Sequence, residues 1–401
     1  MKALRSLVVT AAVLASSSAY AQYTDGIIKI GILTDMSSLY SDIGGPGSVA
    51  AAKLAVEDFG AAAKGMKVEV IGADHQNKPD IGSNVANTWY DVDKVDVIID
   101  TPNSGVALAV SEVTRQKNKV FLVSGAASSD LTGPKCNANT IHWTYDTWNL
   151  ANGTGKALVK TGGDTWFFLT ADYAFGLALE RDTEAVVLQS GGKVLGRVRA
   201  PLNTQDFSSF LLQAQASKAK IIGLANAGGD TINSIKQAAE FGVVRSGQNL
   251  AGLLVFLTDV HGLGLDKAQG LIFTEAWYWD LNEASRAWTK RFVALNGGKY
   301  PSMDHAGVYA AVLHYLKAVD AAKTDDGTKV VAEMKRLPTD DPLFGKGRVR
   351  QDGRTIHPAY LFEVKKPSES KYPYDYYKLR ATIPAEEAFR PEKDGGCPLV
   401  K

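Results

Sequence analysis

Six histidines and two cysteines are the chain's main stock of metal-ligating and nucleophilic side chains. The histidines stand at 75, 142, 261, 305, 314 and 357, and no pair has a spacing that suggests metal ligation. There is no G-x-S-x-G nucleophile elbow, no H-E-x-x-H and no G-x-x-x-x-G-K-[ST] phosphate loop. The glycines of IGGPGS (43–48) are interrupted by proline and do not form a dinucleotide fingerprint. The acidic pairs Asp340-Asp341 and Glu386-Glu387 lie in polar segments and read as solvated. The chain therefore reads as a non-enzyme with no cofactor and no metal.

Binding chemistry is better represented. Two short loops carry small and hydroxyl residues: Pro102, Asn103 and Ser104, and then Gly125, Ala126, Ala127, Ser128 and Ser129. Small residues let the backbone approach a ligand, and their N–H groups and hydroxyls at helix starts suit an anion. The same serines also suit helix capping. Aromatic residues recur at comparable places: Tyr40, Tyr173, Phe175 and Phe256, then Trp277, Tyr278 and Trp279. Asn226 stands in a similar loop, ANAGGD. If the W-Y-W run is a strand, Trp277 and Trp279 point one way and Tyr278 the other.

These loops need elements to hold them. Short apolar runs alternate with segments of helical spacing. IIKIGIL (27–33), KVEVIGAD (67–74), VDVIID (95–100), KVFLVSG (119–125) and TIHWTY (140–145) read as five strands. Near Asn149 the rhythm restarts with a helix over about 149–161. TWFFLTAD (165–172), KVLGRVRAP (193–201), KIIGLANA (220–227), LAGLLVF (250–256) and GLIFTEAWYWD (270–280) come next. Helices return over about 283–296, 304–322 and 328–336. Continuously apolar strands between helices indicate parallel sheets covered on both faces. Two such sets in 401 residues imply an α/β protein of two doubly wound parallel-sheet lobes. In such sheets ligands bind beyond the carboxyl ends of strands, which is where the small-residue and aromatic loops lie.

The charge balance of +1 excludes a general nucleic-acid binder. Lys2, Arg5, the apolar run LVVTAAVLA (7–15) and Ala19-Tyr20-Ala21 form a secretory signal over residues 1–21, too short for a membrane span. The mature chain then starts near Gln22, with no cysteine there to carry lipid. In an oxidising compartment Cys136 and Cys397, both in loop-like surroundings, favour a disulfide over two buried thiols.

Several stretches occur in a characteristic order: IKIGILTDMSSLYSDIGGPGSVAAAKLAVEDFG, TPNSGVALAVSEV, VSGAASSDLTG, DYAFGLALERD, NAGGDTINSIKQAAEFG, LTDVHGLG and HAGVYAAV. Together they resemble the periplasmic substrate-binding proteins of branched-chain-amino-acid-type (Leu/Ile/Val-binding family) ABC transporters. The resemblance spans about 27–365. It implies the type I periplasmic-binding-protein fold, two lobes joined by three crossovers and closing on a small ligand. On that reading the N-terminal lobe is 27–145 plus 280–343. The C-terminal lobe is 146–279 plus 344–365, and 366–401 is a tail. The crossovers fall near Tyr145, Ala276–Trp279 and Phe344. The resemblance also implies a periplasmic monomer that hands its ligand to an inner-membrane ABC permease. A ligand sensor docking on a receptor would use the same closure.

The family pattern places Ser104, Ala126 and Ser128 at the ligand carboxylate and an aromatic of DYAFG over the ligand. The position before that motif's glycine is tyrosine in amino-acid binders and is Phe175 here, with Tyr173 two residues earlier. Where amino-acid binders use an acid to meet the ammonium, Val255, Phe256 and Leu257 stand, with Asp259 further on. An ammonium left unpaired there is costly. The expected ligand is an organic acid with an apolar or aromatic body. A branched-chain amino acid or an amide is the alternative, with Asp259, Glu275 or Asp304 as candidate acids.

Overall fold

The computed structural model describes residues 23–401. The leader expected over residues 1–21 lies outside the described residues.

The first half of the chain builds a parallel five-stranded sheet. Its strands are β1 (Ile28–Thr34), β2 (Val68–Asp74), β3 (Val97–Asp100), β4 (Val120–Val123) and β5 (Thr140–His142), in the order β2-β1-β3-β4-β5. Helices α1 (Gly45–Phe59), α2 (Pro79–Asp91) and α3 (Ser104–Lys117) connect them. The interior strands β3 and β4 are buried along their whole length, which is why they read as unbroken apolar runs. The edge strand β2 is half-exposed and correspondingly mixed in sequence.

After β5 the chain moves to a second sheet. The helix expected near Asn149 is α4 (Thr147–Leu150) and α5 (Lys156–Lys160), joined by a π-helical turn over Ala151–Gly155. Next come β6 (Thr165–Ala171), α6 (Ala174–Gln189), β7 (Lys193–Ala200), α7 (Ser208–Ala216), β8 (Ile221–Ala225), α8 (Gly229–Glu240) and β9 (Asn249–Gly252). The four strands are parallel in the order β7-β6-β8-β9. The edge strand β7 alternates between exposed and half-buried residues up to its last position, as a sheet edge with one solvated face must.

Helices α9 (Leu257–Leu263) and α10 (Leu265–Ala268) lead to β10 (Ile272–Glu275). The expected strand over 270–280 ends at Glu275, so Trp277, Tyr278 and Trp279 do not alternate about a strand. Tyr278 Oη and Trp279 Nε1 both donate to the Tyr374 carbonyl, at 2.7 and 3.0 Å. The chain then returns to the first sheet: α11 (Glu283–Leu295) and α12 (Met303–Ala322) pack on α1, and α13 (Gly327–Arg336) packs on α12 and β4. A small antiparallel sheet comes next, made of β11 (Thr339–Asp341), β12 (Gly345–Val349) and β13 (Thr355–Ile356). Arg354 bridges in parallel to His142 of β5. The third passage therefore lies beyond Ile356 rather than near Phe344, because this hairpin stays on the first sheet's edge. Strand β14 (Ala359–Val364) then pairs antiparallel with β10.

The segment after 365 is more than a tail. Strand β15 (Tyr377–Ile383) pairs antiparallel with β14, and Cys397 is disulfide-bonded to Cys136, with Cα atoms 5.6 Å apart. Arg354, fully buried, fastens this strap where the chain first leaves β5. Its guanidinium donates to the carbonyls of Trp143 (2.6 Å) and Tyr145 (3.1 Å) and lies over the Phe389 ring.

Candidate functional site

The carboxyl ends of both sheets face each other, and a pocket lies between them. From the first lobe it is lined by Tyr40 and Ile43 after β1, Pro102 after β3, Gly125 and Ala127 after β4, and Tyr145 after β5. From the second come Tyr173 and Phe175 after β6, Ala227 after β8, and Leu254 and Phe256 after β9. Each of these sits just beyond a strand's carboxyl end, on both sides of the points where the strand order reverses. The space not occupied by protein atoms is about 240 Å³.

The lobes touch across the pocket. Tyr40 Oη and Tyr173 Oη are 2.6 Å apart, one from each lobe. Arg181 of α6 also reaches the first lobe, donating to Asp130 (2.9 Å) and Ser129 (2.8 Å), and Ser129 and Thr147 both donate to Asp182 at 2.6 Å. This is a closed arrangement. Among the described residues no charged side chain lines the pocket. Its polar equipment is three phenol hydroxyls and the loop backbone. Burial pushes the phenols of Tyr40, Tyr145 and Tyr173 upward, so all three stay protonated. Tyr145 Oη donates to the Gly125 carbonyl at 2.5 Å.

The residues singled out from sequence divide into two groups. Tyr40, Tyr173, Phe175 and Phe256 come together on the pocket wall. Asn103, Ser104, Ala126, Ser128, Asn226 and Trp277 do not line it in this closed form. Asn103 caps α3, accepting from Gly105 N–H (2.9 Å) and Val106 N–H (3.1 Å). Ser104 Oγ accepts from the N–H groups of Ala127 (3.3 Å) and Ser128 (3.1 Å). Ser128 Oγ accepts from Asp130 N–H at 3.4 Å, capping a single 3₁₀ turn. Ala126 packs into the apolar layer on the other side of the sheet. Asn226 is bonded to Thr231 and Ser234 of α8. Trp277 donates to Ser285 Oγ (2.9 Å) and packs edge-on against Trp288.

Pro102, Gly125 and Ala127 were singled out only as members of the small-residue loops, and Ile43, Tyr145, Ala227 and Leu254 were missed as wall residues. The strand-end rule covers their positions but favours their polar neighbours. Polar side chains at these bends turn inward to satisfy helix starts, which leaves the apolar neighbours facing the ligand space.

Two of the three acids that could have met an ammonium are occupied within the protein. Asp259 accepts from Phe256 N–H (3.0 Å) to start α9, and burial pushes its carboxyl up to about 7. Glu275 accepts from Tyr377 Oη at 3.0 Å, and burial raises it well above the carboxylate range. Asp304 lies behind the pocket wall with Asp100. Among the described residues there is no group of three or more His, Cys, Asp or Glu placed to hold a metal, and no helix is long and apolar enough to cross a membrane.

Known proteins share this architecture. Residues 27–371 match the family model described as periplasmic binding protein. A periplasmic binding protein from Burkholderia mallei is 52% identical, covers 94% of this chain and 100% of its own, and superposes with a TM-score of 0.91. A branched-chain amino acid ABC transporter periplasmic ligand-binding protein from Burkholderia xenovorans LB400 is 40% identical, with coverage of 93% and 100% and a TM-score of 0.83. An ABC-transporter solute-binding protein from R. palustris, crystallised with benzoate, shares the fold at 21% identity, with coverage of 93% and 100% and a TM-score of 0.81. A closed two-lobe cleft and a family match over most of the chain lead to one conclusion: this protein belongs to the periplasmic binding protein family, as a non-enzymatic solute-binding protein of the branched-chain-amino-acid ABC transporter type.

Proposed function

We propose that this protein works outside the cytoplasm as a monomer, captures a small organic acid with an apolar or aromatic body, and delivers it to an inner-membrane ABC permease. The observation that carries the ligand class is the pocket lining. Five aromatic side chains, Tyr40, Tyr145, Tyr173, Phe175 and Phe256, enclose it, and among the described residues no charged side chain does. Such a lining suits a flat apolar body, with a few placed polar groups to orient it. In this reading Ser104 and the Ala127 and Ser128 N–H groups form a preassembled anion cradle. A ligand carboxylate takes those two N–H groups over from Ser104 Oγ when the lobes open to admit it. The R. palustris relative has benzoate as its ligand, which supports a carboxylate of this shape in this fold.

A branched-chain amino acid is the second reading, and the likeness to the B. xenovorans protein favours it. Against it, Asp259 and Glu275 are committed to internal hydrogen bonds, so an ammonium meets no free carboxylate on the pocket wall. Calorimetric titration with benzoate, 4-hydroxybenzoate, leucine and valine, side by side, separates the two. The expected result is saturable heat with a benzoate-type acid and none with leucine or valine. Binding of leucine or valine alone rejects the proposed ligand class.

A further inference from the structure

Behind the first-lobe wall of the pocket lie two aspartates that the ligand site does not use. Asp100 ends β3 and Asp304 opens α12; both are fully buried. They converge on two glycines. A Cβ placed on Gly125 would stand 2.7 Å from Asp100 Oδ1 and 2.9 Å from Asp304 Oδ2. A Cβ on Gly44 would stand 2.8 Å from Asp100 Oδ2 and 3.2 Å from Asp304 Oδ2. Gly125 also lines the ligand pocket, so the carboxyls fill the space its missing side chain leaves.

All four carboxyl oxygens lack a hydrogen-bond partner among the described residues, as do the hydroxyls of Ser48 and Ser124 beside them. Ser48 and Thr34 stand close enough to Asp100, and Ser124 to Asp304, to favour the charged forms somewhat, but no well-formed hydrogen bond results. Two buried carboxylates this close, without a cation, cannot both stay ionised.

The neighbouring elements do not supply a positive charge. Asp35, after β1, adds another negative one. Tyr145, after β5, is a protonated phenol. His305, next to Asp304 on α12, accepts from Ser302 N–H through Nδ1 (2.9 Å) and so donates from Nε2 to the Gly44 carbonyl (2.7 Å). Burial pushes it down to about 4, so it is neutral.

We infer that Asp100 and Asp304 form a proton-sharing pair linked to the ligand cleft, which holds one proton when the cleft is empty and takes up a second from solvent when a ligand carboxylate is seated against Gly125 and Ala127. The inference deepens the carboxylate reading given under the proposed function and rests on it for the ligand's charge. Physically, the pair with one proton carries a single negative charge one residue's thickness behind the anion cradle. A ligand carboxylate adds a second negative charge to the same dry region. A second proton on the pair removes that repulsion. Burial first, and then the neighbouring Asp100, raise Asp304 well above the carboxylate range; burial raises Asp100 to about 6. Asp304 is thus the group that carries the resting proton, and Asp100 the group that accepts the second.

The consequence is an affinity for carboxylates that rises as pH falls through neutrality towards about 6. Its limiting slope is about tenfold per pH unit, the signature of one proton bound per ligand. The test is calorimetry with benzoate and with leucine at pH 7, in two buffers of different ionisation heat, on the wild type, Asp304→Asn and Asp100→Asn. Uptake approaching one proton per ligand in the wild type and in Asp304→Asn, which keeps the acceptor Asp100, and none in Asp100→Asn, supports the inference; uptake retained in Asp100→Asn overturns it. A carboxylate ligand that binds the wild type without proton uptake overturns it. Infrared spectra of the ligand-free protein at pH 7 provide an arm that needs no ligand. A protonated-carboxyl C=O band present in the wild type and missing from Asp304→Asn, beside the absorption that buried Glu275 and Asp259 give in both, supports the resting pair, and identical spectra overturn the inference. If benzoate and leucine both fail to bind while the band is present, the ligand class under the proposed function fails and the resting pair stands. The pair's answer to a seated carboxylate is then read with acetate, as a shift of that band at raised concentration; no shift overturns the linkage.

Discussion

At the scale of single residues, the cleft is held shut by few polar contacts. The Tyr40–Tyr173 hydroxyl pair joins the two lobes directly over the pocket. Removing one hydroxyl strands the other in a largely apolar closed cleft, which costs on the order of 1 kcal/mol and acts on the closed state alone. Tyr173→Phe should therefore weaken benzoate binding about fivefold and enlarge the radius of gyration of the ligand-free protein in solution scattering. Melting temperature should change little, because both phenols are wetted when the lobes part. Unchanged affinity and scattering would show that the pair is incidental to closure. Asp100 and Thr101 belong to the same scale. Both take left-handed backbone angles (φ 87° and 64°), a conformation that is uncommon for non-glycine residues. That bend presents Pro102 to the pocket while turning the Asp100 side chain behind it.

Among the elements, the strap formed by the end of the chain has the most to lose. Strand β15 is an edge strand with mostly exposed side chains, so burial contributes little to holding it. The chain beyond β15 is fixed by the Cys136–Cys397 bridge, by Asn149 Nδ2 donating to the Ala388 carbonyl (2.8 Å) and by Phe389 under Arg354. The bridge closes a sequence separation of 261 residues. Cys397→Ser is expected to cost about 2–4 kcal/mol. It should also make the chain beyond Pro384 cleavable by limited proteolysis. A variant as protease-resistant and as stable as the wild type would mean that the hydrogen bonds alone hold the strap.

The whole molecule buries an unusual set of ionisable groups, and their effects on stability oppose each other. Burial pushes Asp230 and Asp341 up to about 6 and Asp259 up to about 7. Their folded-state values lie above the unfolded one, so the stability they contribute is complete below about pH 4 and is lost as pH rises through 6–7. Burial also pushes His75, His305, His314 and His357 down to about 4. Their contribution is complete above about pH 6.5 and is lost as pH falls towards 4. Between those limits the two sets pull in opposite directions. Unfolding by denaturant at about pH 4.5, 5.5 and 6.5 should show stability changing by less than about 1.4 kcal/mol per pH unit, the equivalent of one net proton. A slope of several protons in either direction would show that one set does not titrate as its burial requires.

The two sheets were legible in the sequence because buried parallel strands leave unbroken apolar runs such as VIID and VFLV, and because the strand–helix rhythm visibly restarts after β5. Large aromatics at strand ends, Tyr40, Tyr173, Phe175 and Phe256, were legible for the same local reason. Other features needed the tertiary structure. Whether Ser104 meets a ligand or a neighbouring loop depends on residues 23 and 24 positions away. The W-Y-W run reads as a strand locally, but β10 stops at Glu275 because Trp277 is drawn against Trp288 and Ser285. Strand β15 carries too little apolar alternation to be seen, and exists because β14 offers an open edge. Asp100 and Asp304 are 204 residues apart, and neither stands in a motif. Only the packing of α12 against the ends of β3 and β4 puts both carboxyls behind one glycine, where burial and mutual repulsion give them a joint chemistry that neither has alone.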